Sequence, residues 1–187
     1  VRRDIEKVVI PSFVKEISKF AFQNCKNIKT IEFQDDSKLE LIDDFAFNSS
    51  SVVNIIIPIH VQLIGMNSFS NCKKLQKVEF AENSELCSID ESAFESSTIK
   101  KISIPSRVQQ IGCNSFKECR NLHHVEFSED SELHSIDSSA FNSSSIKKIT
   151  IPKKVRHICE STFSNCSKLV TVEFSENSEL ISIDDYA

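Results

Sequence analysis

The chain has few of the residues that build flexible linkers, and it lacks the paired ligands of a zinc site. Its 187 residues include only two glycines and four prolines, so no segment has the composition of a linker between domains. No Cys-x-x-Cys or His-x-x-x-His pair occurs, which argues against a bound zinc ion. No apolar run approaches the length of a membrane-spanning helix. The net charge of −5 argues against a nucleic-acid partner.

The four prolines recur at a fixed interval. Each follows an isoleucine, and successive Ile-Pro pairs lie 47 residues apart. The same step generates five further columns of apolar residues: Phe22, Phe69, Phe116 and Phe163; Cys25, Cys72, Cys119 and Cys166; Phe33, Phe80, Phe127 and Phe174; Leu39, Leu86, Leu133 and Leu180; Ile42, Ile89, Ile136 and Ile183. A fixed period of this size indicates a solenoid.

Each 47-residue unit is itself a doublet, because Ala21-Phe22 in its first half returns as Ala46-Phe47 in its second. The landmarks shift by 25 and then 22 residues, or by 24 and then 23, which lies inside the leucine-rich range of about 20–29 residues per repeat. The apolar-x-apolar end of each half predicts a strand whose alternate side chains point to opposite sides. Stacked strands would form a parallel sheet over a continuous core, in one array of roughly eight rungs over residues 1–187.

The Ala-Phe-x-x-Cys segment has a short helical spacing and predicts a turn of helix on the opposite, convex side. Asp43 and Asp90 precede such segments, as do Asp137 and Asp184, and their carboxylates would cap the helical amides. Gly65 and Gly112 suggest a tighter turn in the first halves. The predicted fold class is α/β: a curved leucine-rich repeat solenoid with its parallel sheet on the concave side and short helical turns on the convex side.

These motifs resemble the BspA-like class of leucine-rich repeats, the Treponema pallidum type. Its pattern is close to Ile-x-Pro-x-x-Val/Leu-x-x-Ile-Gly-x-x-Ala-Phe-x-x-Cys, and the match runs from about Val8 to Ala187. The second halves depart from it, with Ser49-Ser50 and its repeats in place of cysteine and Ile-Asp in place of Ile-Gly. The resemblance implies a non-enzymatic binding protein on the surface of a bacterium or parasitic protist, associated with adhesion to host cells or matrix.

Seven cysteines invite a disulfide interpretation, which the repeat geometry opposes. The four cysteines of the regular column lie two rungs apart, about 9.6 Å at strand spacing, and a disulfide needs Cα atoms within about 7 Å. We expect these four to be reduced core residues. Cys87, Cys113 and Cys159 fall in other columns and show no pairing pattern.

The strand residues that point away from the core form the predicted concave surface. Its central part carries eight candidate ligand-binding residues: Lys77, Glu79, Lys101, Ser103, His124, Glu126, Lys148 and Thr150. A solvated face with weak cross-strand charge pairs explains them equally well, and solenoids characteristically bind ligands on this face. The alternatives stay open at this point.

Other polar groups give no site of their own. Acidic residues recur in the loop after each first-half strand, for example Asp35-Asp36, but each loop offers too few carboxylates for calcium, so we interpret them as a solvated ridge. The five histidines are scattered; His123 and His124 are the only adjacent pair, and a surface role is expected. Three Asn-x-Ser sequons occur, at Asn48, Asn142 and Asn165, which could carry glycan in a secreted protein.

The leading functional hypothesis is a non-catalytic binding or adhesion module with no cofactor and no metal. The expected partner is a protein, such as a host or matrix protein, or a glycan; end-to-end self-association is also expected, because terminal rungs leave strand edges open. We expect a fragment of a longer protein at the cell surface. The alternatives are a cytoplasmic scaffold, or a repeat domain attached to an enzyme that lies outside these residues.

Overall fold

The computed structural model describes residues 5–187 as a solenoid of parallel strands with eight rungs. Each rung contributes one four-residue strand and one two-residue strand. The four-residue strands are β1 (Lys7–Ile10), β3 (Thr30–Phe33), β5 (Asn54–Ile57), β7 (Lys77–Phe80), β9 (Lys101–Ile104), β11 (His124–Phe127), β13 (Lys148–Ile151) and β15 (Thr171–Phe174). The two-residue strands are β2 (Glu16–Ile17), β4 (Leu41–Ile42), β6 (Leu63–Ile64), β8 (Ser88–Ile89), β10 (Gln110–Ile111), β12 (Ser135–Ile136), β14 (His157–Ile158) and β16 (Ser182–Ile183).

The two-residue strands form one continuous eight-stranded parallel sheet in which every strand pairs with the strands of the adjacent rungs. The second residue of each strand is an isoleucine, and it faces the core; Ile42 pairs with Ile17 on one side and with Ile64 on the other. A strand of two residues cannot bury an apolar side chain alone, so this sheet exists only because neighbouring rungs stack.

The segments predicted to be helical turns are not helical, and the described part of the chain contains no helix. In each segment two residues four positions apart have left-handed backbone, for example Asn67 (φ 57°) and Asn71 (φ 58°). Left-handed residues interrupt a helix, so the segment folds as two successive tight turns. The expected α/β class is therefore wrong, and the chain is an all-β leucine-rich repeat solenoid.

Hydrogen bonds between rungs explain why turns replace the helix. The amides of Asn67, Phe69 and Asn71 donate to carbonyls of the next rung at 2.9, 2.7 and 2.8 Å, while the amides between them bond within the turn. Every backbone amide of the segment thus finds an acceptor without a helix. The turns form a third hydrogen-bonded ladder along the solenoid, which we name the turn side.

The proposed helix caps are also wrong, because there is no helix to cap. Asp43 Oδ1 accepts only the adjacent amide of Asp44 at 2.8 Å, and Asp90 Oδ1 accepts the hydroxyl of Ser88 at 2.7 Å. The two glycines are needed for close packing, since neither has positive φ. A Cβ on Gly112 would lie 2.8–2.9 Å from backbone atoms of Asp90 and Glu91 in the preceding rung.

The core is organised around a column of stacked phenylalanines. Seven rings, from Phe22 to Phe163, form six consecutive stacked pairs with centroids 5.0–5.7 Å apart and planes within 9° of parallel. Five of these side chains, Phe47, Phe69, Phe94, Phe116 and Phe141, have no exposed surface. The predicted Phe column is confirmed as the axis of the core, with isoleucine and leucine columns packed around it.

The predicted column of Phe33, Phe80, Phe127 and Phe174 is core only in part. The first three are half-buried and Phe174 is 42% exposed. They alternate along the sheet with Ile10, Ile57, Ile104 and Ile151, which are buried. At this strand position the phenylalanine rings are therefore partly exposed on alternate rungs, whereas the isoleucines between them are buried.

The sheet of four-residue strands is split at every second junction. Strands β5 and β7 pair over all four residues, and so do β1 with β3, β9 with β11, and β13 with β15. By contrast, β3 and β5 pair only through Thr30 and Asn54, and the strand pairs β7–β9 and β11–β13 have no residues in ladder register. The 47-residue doublet of the sequence thus appears in the structure as successive pairs of strands, each pair in full register.

Proline accounts for the position of each split. At the paired junctions the amide after the first-half strand bonds to the isoleucine carbonyl before proline, as in Ala81 N to Ile57 O at 3.0 Å. At the split junctions the corresponding residue is the proline itself, Pro58 after β5, and it has no amide hydrogen. The last hydrogen bond of the ladder cannot form there, so the regular pairing is interrupted although the strands stay adjacent.

The cysteine column is reduced and takes part in a hydrogen-bonded ladder with serine. Cys119 Sγ donates to the carbonyl of Phe94 at 3.1 Å and lies 3.4 Å from Ser97 Oγ, and Cys72 and Cys166 repeat this arrangement. All seven cysteines are free thiols. Burial raises the pKa of the Cys119 thiol to about 12, so it stays neutral and acts as a donor.

We expect Cys119→Ala to lower the free energy of unfolding by about 1 kcal/mol, through a small cavity and a lost hydrogen bond. The exposed Cys87 provides the control, since Cys87→Ala should change stability little. Because none of the described cysteines forms a disulfide, a reductant should leave the melting temperature of the wild type unchanged. A fall in melting temperature on reduction would contradict this assignment.

Candidate ligand-binding face

The first and third residues of each four-residue strand point away from the core and form one polar surface, the long-strand face. In β9, Lys101 and Ser103 are exposed while Ile102 and Ile104 are buried, and the other central strands follow the same alternation. All eight candidate residues lie on this face and are exposed: Lys77, Glu79, Lys101, Ser103, His124, Glu126, Lys148 and Thr150. Their side chains are therefore free to contact a ligand without disturbing the core.

Four of the eight residues form a central cluster. Strands β9 and β11 pair in full register, which sets Lys101 beside His124 and Ser103 beside Glu126. Ser103 Oγ donates to Glu126 at 3.2 Å, and His124 Nε2 lies 3.9 Å from the same carboxylate. Among the described residues, no carboxylate lies within 4.0 Å of Lys101 Nζ, so its charge is available to a partner.

The other four residues are engaged in separate exposed contacts. Lys77 and Glu79 form an ion pair of 2.7 Å on one strand. Lys148 pairs at 2.6 Å with Glu173, which also accepts from Thr150 Oγ1 at 3.5 Å. Exposed pairs of this kind contribute about 0–1 kcal/mol to stability, so they can be exchanged for contacts with a partner at little cost. Glu173 was left out of the predicted site, although it shares the column of Glu126.

Grooves open on the long-strand face over the split junctions. The first, of about 850 Å³, spans β3, β5 and β7; the second, of about 730 Å³, spans β7 and β9 and includes Ile56 of β5; the third, of about 310 Å³, lies between β11 and β13. The predicted residues Lys77, Glu79, Lys101 and Ser103 line the second groove, and the remaining four line the third. The grooves could not be predicted from the sequence, because they depend on the interrupted pairing between strands. The one sequence signal for that interruption is the proline after each second-half strand.

One exposed apolar residue in the first groove was also missed as a site residue. Ile56 is 59% exposed on β5, in register with Glu79. The equivalent residues of later doublets are Ser103 and Thr150, whereas the equivalent residue on β1 is Val9, which is also apolar and 48% exposed. Ile56 lines the second groove as well as the first. Alternation along β5 predicts Ile56 on the exposed face, in one column with Glu79 and Ser103, although the candidate residues do not include it.

The remaining polar candidates are dispersed. His123 precedes β11, and its Nδ1 lies 3.0 Å from the carbonyl of Asn121, so it does not act with His124. Acidic loop residues form ion pairs with the adjacent rung: Glu85 with His60 at 3.1 Å, and Glu132 with Lys154 at 2.7 Å. Within residues 5–187 no three His, Cys, Asp or Glu side chains are grouped as metal ligands, and no helix is long and apolar enough to cross a membrane.

Comparison with known proteins identifies the class of repeat. A family model for the BspA type of leucine-rich repeat region matches the chain in six copies, over residues 2–105 and 87–187. The chain belongs to the BspA-type leucine-rich repeat family. The family model describes a repeat region and specifies no enzyme. A search of curated proteins found no significant match.

Solved structures show the same fold in bacterial proteins. The pneumococcal vaccine antigen PcpA is 27% identical with a TM-score of 0.72, over 92% of this chain and 51% of that one. A leucine-rich repeat protein of Bacteroides ovatus is 22% identical (TM-score 0.65, 99% and 64% covered), and the T. pallidum protein TpLRR is 22% identical (0.67, 96% and 73%). The chain spans about half the length of PcpA and about two thirds of the Bacteroides protein.

Proposed function

We propose that the chain is a non-catalytic binding module of a surface-exposed protein, and that it holds a protein partner on the long-strand face. The observation that carries this proposal is the contrast between the two sides of the strands. The core side repeats nearly unchanged from rung to rung, while the exposed side changes at every strand, from Lys77 and Glu79 to Lys101 and Ser103 to His124 and Glu126. A rigid scaffold under a varied polar surface suits selective recognition.

The location at the cell surface is part of the same proposal. It is supported by membership of the BspA-type family and by the likeness to a vaccine antigen. A host or matrix protein is the partner that fits this location, with a glycan as the alternative ligand. End-to-end self-association of the repeat array stays a prediction.

The test exchanges two charges at the centre of the face. Lys101→Glu combined with Glu126→Lys keeps the net charge and removes the Ser103–Glu126 hydrogen bond. Purified matrix and serum proteins, together with a glycan array, are first screened against the wild type. We expect the exchange to weaken binding of the protein identified there by about tenfold or more, because each reversed charge would then face a charge of the same sign on the partner. The melting temperature should not change, since both side chains are exposed.

A matched control lies on the turn side. Glu118 and Arg120 are exposed beside Lys117 at the turn from Phe116 to Cys119, and Arg120 Nη2 is 3.7 Å from Glu118. Glu118→Lys with Arg120→Glu keeps the net charge, as the exchange on the long-strand face does, and should leave the affinity unchanged. Loss of binding in the turn-side variant, with none in the exchanged variant, would move the binding surface to the turn side.

A further inference from the structure

We propose that the first groove binds a short extended segment of a protein partner, in which one large apolar side chain is flanked by lysine or arginine. The proposal rests on the proposed function, since it names the chemistry that one part of the long-strand face recognises. It is carried by the shape of the groove, by its one exposed isoleucine, and by the carboxylates around it.

The groove is open and partly apolar. It is lined by β3, β5, the loops that follow them and residues of β7, and its apolar lining includes Phe33, Ile56, Pro58 and Ile59. Phe33 is half-buried, and Ile56 is 59% exposed. The volume of about 850 Å³ accommodates a leucine or phenylalanine side chain together with the backbone around it.

Ile56, Lys77 and Glu79 line the first and the second groove alike, and the two grooves differ in most of the rest of their lining. The first groove adds Phe33, Pro58 and Ile59, whereas the second adds Ser103, the strand position equivalent to Ile56. In the third groove that position is Thr150, and both hydroxyls donate to a neighbouring glutamate. A hydroxyl tied to a carboxylate favours polar ligands, whereas an isoleucine exposed to water gains free energy when an apolar group covers it. The first groove is thus the place on the face where an apolar side chain binds best.

The rim of the first groove is acidic. Four carboxylates line it, from Glu32, Asp35, Asp36 and Glu79, against two lysines, Lys38 and Lys77. Glu32 is already paired with Lys7, and Glu79 with Lys77, each at 2.7 Å. Within the described residues, Asp35 and Asp36 have no cation within 4.0 Å. A cationic residue on either side of the apolar anchor would therefore complement the rim, while an anionic or sulfated ligand would be repelled.

The strands set the length of the segment. Four residues of β3 and β5 extend over about 13 Å, so about four residues of an extended chain can follow the groove. The expected ligand is thus a lysine or arginine, a large apolar residue and a second basic residue within one extended stretch.

The test uses four fluorescein-labelled octapeptides with a fixed Gly-Ser frame. Their central triads are Lys-Leu-Arg, Lys-Phe-Arg, Lys-Ser-Arg and Glu-Leu-Glu. Fluorescence polarisation measures affinity, and methyl NMR of isoleucine-labelled protein locates the peptide. We expect the first two peptides to bind and shift the Ile56 methyl signal. The other two should bind about tenfold or more weakly, because each lacks either the apolar or the charged complement.

Two variants decide between the groove and non-specific attraction. Ile56→Ser places there the residue found at Ser103, and because Ile56 is exposed the variant should fold as the wild type does. It should weaken the affinity for the Lys-Leu-Arg peptide by about tenfold or more. Because Ile56 also lines the second groove, the control is Ser103→Gln, in the part of the second groove that the first does not share; it should leave the affinity for the peptide unchanged.

The proposal is overturned if the wild type binds neither the Lys-Leu-Arg nor the Lys-Phe-Arg peptide, or if Ile56→Ser binds these two peptides as tightly as the wild type does. A glycan from the array whose binding depends on Ile56 would also overturn it, since the ligand class would then be wrong. The exchange of Lys101 and Glu126 distinguishes this failure from failure of the proposed function. If that exchange weakens binding of the protein found in the screen, and Ile56→Ser does not change binding of the peptides, only the assignment of the groove is wrong.

Discussion

Phe94→Ala is expected to lower the free energy of unfolding by about 3–5 kcal/mol, the largest single effect in the chain. The ring has no exposed surface and stacks between Phe69 and Phe116, with centroids 5.2 and 5.3 Å away. Alanine would leave a cavity in the middle of the column, which the hydrogen-bonded turns on either side prevent from collapsing. Urea denaturation followed by circular dichroism measures the loss.

The cavity should also divide the array. Each rung contacts only its neighbours, so a weak rung at the centre lets the two halves unfold separately. The control is Phe20→Ala, because Phe20 is 48% exposed, stacks only on Phe45, and has left-handed backbone at φ 64°. We expect that change to have little effect on stability. A similar loss in both variants would show that the column is not the axis of the core.

Gly112→Ala should lower the free energy of unfolding by about 2–3 kcal/mol, at the upper end for overpacking. The added Cβ would lie 2.8–2.9 Å from the backbone of Asp90 and Glu91, and backbone atoms in a hydrogen-bonded ladder cannot move aside. Thermal melts give the measurement, and Cys113→Ala on the adjacent, half-buried residue is the control. A Gly112→Ala protein as stable as the wild type would show that the rungs are not in such close contact.

One rung shows how the chain accommodates a side chain at this position. Cys159 follows Gly112 by 47 residues and carries the Cβ that the glycine lacks. Its amide bonds to Ile136 O at 3.2 Å, whereas Gly112 N bonds to Ile89 O at 2.8 Å. The hydrogen bond between the rungs is longer where the glycine is absent, which supports close approach of the backbone as the reason for glycine.

The repeat period made the architecture predictable, because apolar columns 47 residues apart can be buried only by stacking. The strands and the exposed candidate residues followed from alternation along each strand, and the Phe column followed from the repeat period itself. The structure of the turn segments could not be predicted in this way, since the spacing from Phe69 to Cys72 is equally compatible with one helical turn and with two tight turns. Asn67 and Asn71 favour left-handed backbone, but Glu118 adopts it too without such a preference, so contacts between rungs override local propensity there.

The candidate site was predicted as a row of residues and found as a set of grooves. Which residues share a groove depends on where the regular pairing is interrupted, and that depends on a missing amide at Pro58, Pro105 and Pro152. Each proline was visible in the sequence as the end of a strand. Its effect on the adjacent strand could be seen only once the register of both strands was known.

The central claim is that a protein partner contacts the long-strand face, and site-specific photo-cross-linking tests it most directly. A benzoyl-phenylalanine is placed at Ser103 in one protein and at Arg120 on the turn side in another, both exposed positions. Each is irradiated with the matrix or serum protein found in the binding screen. The account predicts a covalent adduct from position 103 and none from position 120. An adduct from position 120 alone would contradict it.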